Sequence, residues 1–379
     1  MQNKKINLER REFLKTFCVA GLGTSLISLN SSAYAELSQI KYSKFDYKFK
    51  TFRPDEIIKI GMIGTDGHTG TILGDLPSIK NVKLVAYANH NNRIKNLPKE
   101  VKLYDNYEEM LEKEELDIVG VCLPYYLNAK ASIALAKKKI HIITEKPIAT
   151  TLEDLNTLLK AVIENKVRLT CLFDMRFSPS FQTVHKAVVE GKIGEPILIT
   201  AQKSYKFGES RPDFYKKAET YGGTIPWVGI HAIDYIHYTT RLDYSEVVAF
   251  QGNKDHPEYP GLEDYVGVLL RLSNNGTALI NIDYLRPETA PTHGDDRLRI
   301  IGSEGVIEIK DLGERVELIT SSSKPVNLPL TEGKSLMGDF ISELRGEGKH
   351  ILLPEEPFEM TRVALIAHQS ANQKRIVKL

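Results

Sequence analysis

Three cysteines, one tryptophan and a formal net charge of only +1 are what this chain of 379 residues is shortest of. Each shortage excludes something. Cys18, Cys122 and Cys171 form no CxxC pair and no His/Cys cluster, so the sequence predicts no metal site. Cys122 and Cys171 sit inside apolar runs, Val119-Gly120-Val121-Cys122-Leu123 and Leu169-Thr170-Cys171-Leu172-Phe173. Buried thiols are therefore expected, with a disulfide as the alternative if the compartment is oxidising. The balanced charge offers nothing to attract nucleic acid, and no acidic run reads as a disordered tail. Internal repeats and low-complexity linkers are missing too. What remains is an ordinary globular composition, long enough for two domains with sizeable cores.

Residues 1–35 read as an address rather than as fold. Lys4, Lys5, Arg10, Arg11 and Lys15 form a positive front, an apolar run follows over 17–29, and Ala33-Tyr34-Ala35 offers small residues at the positions an export peptidase reads. The run is too short, and too rich in Gly and Ser, for a comfortable membrane span. Arg10-Arg11-Glu12-Phe13-Leu14-Lys15 resembles a twin-arginine export signal, with Glu9 where Ser or Thr is usual. Such export carries folded proteins, often with cofactor bound, and implies a periplasmic location. A retained membrane anchor is the alternative. Cleavage would remove five basic and two acidic residues, moving the net charge from +1 to −2.

Residues 36–55 read as an extended, aromatic lead-in packing across a domain surface. From 56 to about 175 strand and helix signals alternate, the signature of a doubly wound parallel α/β sheet. Ile57-Ile58-Lys59-Ile60-Gly61-Met62-Ile63 is a strand, followed by the turn Gly64-Thr65-Asp66-Gly67-His68-Thr69-Gly70 and a helix over 71–78. Strand, glycine turn, helix is the setting in which backbone amides cradle a pyrophosphate. Asp66 occupies the usual second glycine position. The strand over 82–88 ends at Asn89-His90-Asn91-Asn92-Arg93, where an acid normally binds the ribose of NAD. Asn89 can bond a ribose hydroxyl and Arg93 or His90 can tolerate a 2′-phosphate, so NADP stays open beside NAD. A helix is expected over 103–115, then a strand ending at Leu123-Pro124, a helix over 127–138 and the strand Ile142-Ile143-Thr144 running into Glu145-Lys146-Pro147. A helix over 150–165, opened by the cap-like Thr151-x-x-Asp154, and a strand over 167–173 follow. A lysine held at a strand end by proline either moves protons or belongs to a surface pair.

After Arg176-Phe177-Ser178-Pro179 the pattern changes. One helix over 180–191 gives way to strands at 197–207, 245–250, 265–272, 277–285, 298–301 and 306–309, with the hairpin signal Ser273-Asn274-Asn275-Gly276 among them. This predicts an α+β domain over 176–379 with a large, mostly antiparallel open-faced sheet, closed by helices over 335–345 and 356–373. The insert 208–241 carries Gly222-Gly223, Trp227 and His231-x-x-Asp234. His293-Gly294-Asp295-Asp296-Arg297 reads as a turn rather than a metal cluster.

The glycine turn, Leu123-Pro124, Glu145-Lys146-Pro147 and Gly222-Gly223…His231-x-x-Asp234, supported by Arg176-Phe177-Ser178-Pro179 and Gly191-x-Ile193-Gly194-Glu195-Pro196, together resemble the Gfo/Idh/MocA oxidoreductases over nearly the whole chain from residue 57. The resemblance implies an N-terminal Rossmann domain holding NAD(P) and a second domain whose sheet forms homo-oligomers, dimers or tetramers. It implies sugar, inositol or glycoside substrates and catalysis by Lys146 with His231. Trp227 replaces the aspartate that many members carry four residues before the histidine. Cofactor contacts are then expected from Gly64, Gly67, His68, Thr69, Gly70, Asn89, Arg93, Leu123, Pro124, Tyr125, Asn128, Glu145 and Lys146. Substrate contacts are expected from Arg176, Tyr205, Tyr221, Trp227, His231 and Asp234, with Arg211 a further candidate. His231 suits a base, Lys146 polarises the oxygen, and Trp227 offers a flat face to sugar C–H groups. The leading expectation is an exported NAD(P)-dependent oxidoreductase acting on a ring hydroxyl, plausibly at C3. An NAD-dependent glycosidase working through transient oxidation, with Tyr205 or Tyr221 taking the C2 proton, is the alternative. A sugar-binding protein without turnover is the third.

Overall fold

The computed structural model describes residues 45–90 and 97–379. The stretch expected to be an export signal, the start of the lead-in and Arg93 lie outside the described residues. Strands β1 (Ile58–Ile63), β2 (Val82–Ala88), β3 (Lys102–Tyr104), β4 (Ile118–Val121), β5 (His141–Thr144) and β6 (Leu169–Cys171) form one sheet in the order 3-2-1-4-5-6. Every pairing is parallel. Strands β4, β5 and β6 bury every residue, as strands covered on both faces must. Between the strands run α1 (Thr69–Asp75), α2 (Tyr107–Lys113), α3 (Tyr125–Lys137) and α4 (Leu152–Asn165). Thr151 caps α4 as its spacing predicts, its hydroxyl accepting from the Asp154 amide at 3.0 Å.

The helix expected over 103–115 is two elements. Lys102–Tyr104 pairs with Ala86–Ala88 as an edge strand, and Asn106 then opens α2 by accepting from the Glu109 amide at 2.9 Å. Tertiary pairing at the sheet edge overrides local helix propensity there. Cys122 and Cys171 are free and buried.

The first domain's core is not built from its own segment alone. Ile58, Ile60, Met62, Ile118 and Ile143 pack with Phe52 of the lead-in. Met337, Phe340, Ile341 and Leu344 complete the cluster from α8 (Leu336–Leu344), nearly three hundred residues downstream of β1. The Phe52 amide donates to the Leu344 carbonyl at 2.9 Å. Each such side chain contributes about 1.5–3 kcal/mol of burial, so 176–379 is not a self-contained domain. The C-terminal segment returns to seal the N-terminal sheet.

The second sheet has nine strands in the order 14-13-12-11-7-10-9-8-15. They are β7 (Pro196–Tyr205), β8 (Tyr244–Gly252), β9 (Tyr265–Leu272), β10 (Thr277–Asp283), β11 (Gly294–Gly302), β12 (Gly305–Lys310), β13 (Arg315–Thr320), β14 (Ser323–Leu328) and β15 (Val377–Lys378). Only β7 and β10 pair parallel. The hairpin at Asn275 is present, with the Leu272 amide donating to Gly276 O at 2.9 Å. Of residues 293–297, read as a turn, 294–297 instead begin β11, with Asp296 opposite Lys203 on β7. Strands β13, β14 and β15 have no sequence counterpart above; β14 is exposed along its length and lacks the alternation that would mark it. One face of this sheet is covered by α5 (Pro179–Val189), α7 (Ile230–Thr240) and α9 (Glu356–Gln373), with the short α6 (Ala218–Tyr221) in the insert between β7 and β8. Helix α7 is buried at all of its residues, the polar His231, Asp234 and His237 among them. Among the described residues no helix is long and apolar enough to cross a membrane.

Candidate active site

The strand order reverses between β1 and β4, and a parallel sheet opens its crevice at the carboxyl ends of the strands beside that point. The glycine turn follows β1, Leu123-Pro124 follows β4, Glu145-Lys146 follows β5 and Asp174 follows β6. All four therefore meet at one edge, although they are scattered in sequence.

Glu145 organises this edge. It is fully buried and accepts from the His68 backbone amide, from His68 Nδ1 at 3.0 Å and from the Lys146 amide at 3.0 Å. Gly67, at φ +69°, must be glycine because a Cβ there would run into the Glu145 carboxylate. Gly64, at φ +79°, is held as tightly against the Cys122 carbonyl. Asn128 is completely buried: its Oδ1 accepts from the Leu123 amide at 3.2 Å and its Nδ2 reaches Glu145 O and Pro147 O at 3.4 Å. Expected to touch the cofactor, Asn128 instead spends its amide tying two strand ends together.

Lys146 is 2% exposed, and its Nζ donates to the Trp227 carbonyl at 2.7 Å while standing 2.9 Å from the centre of the Trp227 ring. Its peptide bond to Pro147 is cis. Trp227 belongs to a π-helical turn, Ile225–Gly229, that runs straight into α7. Such wide turns recur at functional sites. Tyr125 stacks on Trp227 with centroids 3.7 Å apart. A ring and an ammonium that close cannot share one side, so both faces of the indole are taken. The flat face expected to receive sugar C–H groups is not free, and Trp227 instead supplies a wall and a carbonyl. Tyr125, expected beside the cofactor, is drawn into the aromatic insert, its hydroxyl 2.5 Å from that of Tyr215.

His231, the second residue of α7, faces Lys146 and His68. Its ring meets that of His68 edge-on at 5.3 Å, and its Nδ1 stands 3.8 Å from Asp174 Oδ1. His68 Nε2 is 4.0 Å from Asp174 Oδ2. His231 Nδ1 and Asp174 Oδ1 are both buried without a hydrogen-bond partner. Burial, then the Lys146 charge, drives the His231 pKa well below its ordinary value, so the ring is neutral at physiological pH. Burial brings Lys146 down to about 7 although Glu145 pulls it upward, which places a proton carrier at neutrality. Burial works against His68, but the Glu145 charge holds its pKa above the ordinary value.

Lys146, His68 and His231 open on a cavity of about 170 Å³ that Tyr205, Arg211, Trp227, Tyr284 and His293 help to line. A larger hollow of about 310 Å³ lies away from this edge between β11 and β12, lined by side chains such as Asp295 and Arg297 that pair with each other. The chemistry is concentrated in the smaller one. Tyr205 stands where the sequence predicts, though its hydroxyl donates to Asp296 at 3.1 Å.

Three expected substrate contacts are elsewhere. Arg176 and Asp234 are 0% and 1% exposed, joined through Arg176 Nε and Nη2 at 2.7–3.0 Å, and Arg176 Nη1 also donates to Glu356 at 2.6 Å. Their polar groups satisfy one another, leaving no edge for a sugar. Tyr221 is fully buried behind the cavity, its hydroxyl 3.0 Å from Thr224 Oγ1 and 3.3 Å from the Tyr284 hydroxyl. Tyr284 lines the cavity in its place, and neither it nor Asp174 was singled out in the sequence. A tyrosine at a strand end and an aspartate after a strand are too common to read without the topology.

The dinucleotide that the resemblance implies fits the other half of the crevice. Gly70 on α1 would place a Cβ in open space, so nothing inside the chain demands glycine there and the turn keeps room for a phosphate group. Thr65 Oγ1 beside it and Asn89 Oδ1 at the end of β2 are buried acceptors without partners. Asn89 stands where a ribose hydroxyl would donate. Gly64, Gly67, Thr69, Leu123 and Pro124 frame the same edge, and His68 is shared with the cavity.

Comparison with known proteins agrees. Residues 58–173 match the oxidoreductase family with an NAD-binding Rossmann fold, and residues 181–308 match the Gfo/Idh/MocA C-terminal domain. The chain belongs to the Gfo/Idh/MocA oxidoreductases and is an NAD-binding oxidoreductase. A Thermotoga maritima protein of known structure is 40% identical with a TM-score of 0.78, over 85% of this chain and 100% of that one. The myo-inositol 2-dehydrogenase of Thermotoga maritima is 26% identical over 85% of this chain and 98% of its own. An uncharacterized oxidoreductase of Bacillus subtilis is 27% identical, but the match covers 53% of this chain and 57% of that protein. A levoglucosan dehydrogenase solved with NADH shares the fold at 16% identity and a TM-score of 0.73, over 85% of this chain and 98% of that one.

Proposed function

We propose that this chain oxidises or reduces a ring hydroxyl of a sugar, cyclitol or glycoside with NAD. The observation that carries the reading is the small cavity joining Lys146 and His231 at the carboxyl edge of the Rossmann sheet. Its size suits one ring. NAD, when bound, supplies the hydride acceptor. The chain's own residues hold the ring and manage its proton. Neutral His231 offers a nitrogen to the reacting hydroxyl, and Lys146, poised near pH 7, takes up the proton as the oxygen becomes a carbonyl. Arg211, whose Nε is buried without a partner, and Tyr205 orient the remaining hydroxyls. Oxidation at C3 fits this arrangement, as does a neighbouring carbon.

The glycosidase alternative gains no support. It needs a base for the C2 proton, and burial raises the pKa of Tyr205 further out of reach while Asp296 already holds its hydroxyl. Tyr221 is outside the cavity.

The open face of the second sheet supports assembly. Val248, Leu269 and Leu279 are cross-strand neighbours, and Leu269, Leu279 and Phe250 are 42%, 43% and 64% exposed. An apolar ridge of this kind on a one-sided sheet suits a second copy of the chain. The likeness of Arg10-Arg11-Glu12-Phe13-Leu14-Lys15 to a twin-arginine signal favours a periplasmic location.

Purified protein mixed with NAD and a panel of cyclitols, aldoses and glycosides tests the reading. NADH formation with one class supports it. Absence of nicotinamide binding overturns it.

A further inference from the structure

His68 and His231 line the cavity from the glycine turn and the start of α7, Asp174 approaches both from beyond the end of β6, and one ligand atom from each of the three lies within 4.8 Å of the other two. Two histidines and a carboxylate converging on one side, with the opposite side open, is the arrangement by which proteins hold a divalent transition-metal ion and leave positions for a substrate. Ligands each about 2.1 Å from an ion lie roughly 3 to 4 Å from one another. The spacings of 4.0 Å from His68 Nε2 to Asp174 and 3.8 Å from His231 Nδ1 to Asp174 are already close to that.

Independent observations point the same way. His231 is 5% exposed, yet its Nδ1 has no hydrogen-bond partner, and neither has the buried Oδ1 of Asp174. An unpartnered nitrogen and oxygen facing each other beyond hydrogen-bond reach invite a cation between them. His68 carries the feature that usually accompanies a metal-bound imidazole: its other nitrogen, Nδ1, is engaged by a buried carboxylate, Glu145, at 3.0 Å. That contact fixes the ring's orientation and leaves Nε2 facing Asp174.

We propose that His68, Asp174 and His231 form a binding site for a divalent first-row transition ion, whose open positions take two adjacent hydroxyls of the substrate. The inference deepens the sugar-oxidoreductase reading and rests on it for the substrate, but not for the ion. In that arrangement His231 holds metal, and the hydroxyl proton passes to Lys146 alone. No electron leaves the ion, which stabilises the developing alkoxide as a Lewis acid.

The test is titration of the full chain, after exhaustive chelation, with Zn²⁺, Mn²⁺ and Co²⁺ followed by calorimetry, and with Co²⁺ also by its visible absorption. One equivalent bound is expected. His68→Gln and Asp174→Asn should each weaken binding at least tenfold with circular dichroism unchanged, and Glu145→Gln should weaken it about 10- to 100-fold. His185→Gln, at a histidine stacked on Tyr238 outside the cavity, should bind as the parent does. No binding at one equivalent, or binding indifferent to His68 and Asp174, overturns the site and leaves the oxidoreductase reading standing. Ion binding with no NADH formed from any polyol overturns that reading and leaves the site.

Discussion

Two clusters of acids and histidines around a buried cationic side chain lie in this molecule and differ in whether their members are satisfied. Around Arg176, Asp234, His237 and Glu356, each charged group finds another: Arg176 serves both acids, and His237 Nε2 meets Glu356 at 3.2 Å. Around Lys146, Glu145, His68, Asp174 and His231, buried atoms are left without partners. The first cluster holds α7, α9 and the start of the second domain together. The second faces a cavity. A satisfied buried cluster is a structural joint, whereas an unsatisfied one in a cleft keeps its bonding capacity for something else.

That contrast breaks most sharply at Lys146. Lys146→Ala should lower kcat at least about 10²-fold while leaving NAD binding and the melting curve near those of the parent, read by steady-state kinetics and nicotinamide fluorescence. The pH profile sharpens it. Since the Lys146 pKa is about 7 and His231 is already neutral at pH values below its ordinary range, kcat/KM for oxidation should rise through about pH 7 and then level off. The limb should vanish in Lys146→Met.

In the satisfied cluster the effect should fall on folding. Arg176→Ala strands two buried carboxylates and should cost about 3–5 kcal/mol in denaturant unfolding. Burial works against Glu356, yet Arg176 and then His237 hold its pKa at about 2, below the ordinary 4.5. A depressed carboxylate stabilises the fold above its unfolded value and ceases to as pH falls. Stability should therefore drop between pH 4.5 and about 2, by on the order of a few kcal/mol, and Glu356→Gln should flatten that drop. The smallest change is expected at Asp174→Asn. With Oδ1 unpartnered, its stability should stay within about 0.5 kcal/mol of the parent although activity falls.

Much of this was legible in advance, for reasons particular residues make plain. The parallel sheet showed through because β4, β5 and β6 are apolar runs buried on both faces, and Glu145-Lys146-Pro147 stood out as charge at the end of one. His231 was marked by its spacing to Asp234, although Asp234 proved to be Arg176's partner rather than the substrate's. Spacing along a helix fixes which residues share an element, not which side each serves. Trp227 was read for its ring, while the structure uses its carbonyl for Lys146, an interaction with no sequence trace. Asp174 and His68 meet only because β1 and β6 belong to one sheet, and Leu336–Leu344 joins that sheet's core from the far end of the chain. Long-range register of that kind is not written in any local pattern.

The central claim is that Lys146 and its unsatisfied neighbours form the oxidoreductase site. It is tested most directly by NADH formation from a panel of cyclitols and sugars, comparing the parent with Lys146→Ala and Arg176→Lys at equal folded concentration. The account predicts turnover in the parent, its loss in Lys146→Ala, and its survival in folded Arg176→Lys. Equal turnover in the parent and Lys146→Ala would contradict it.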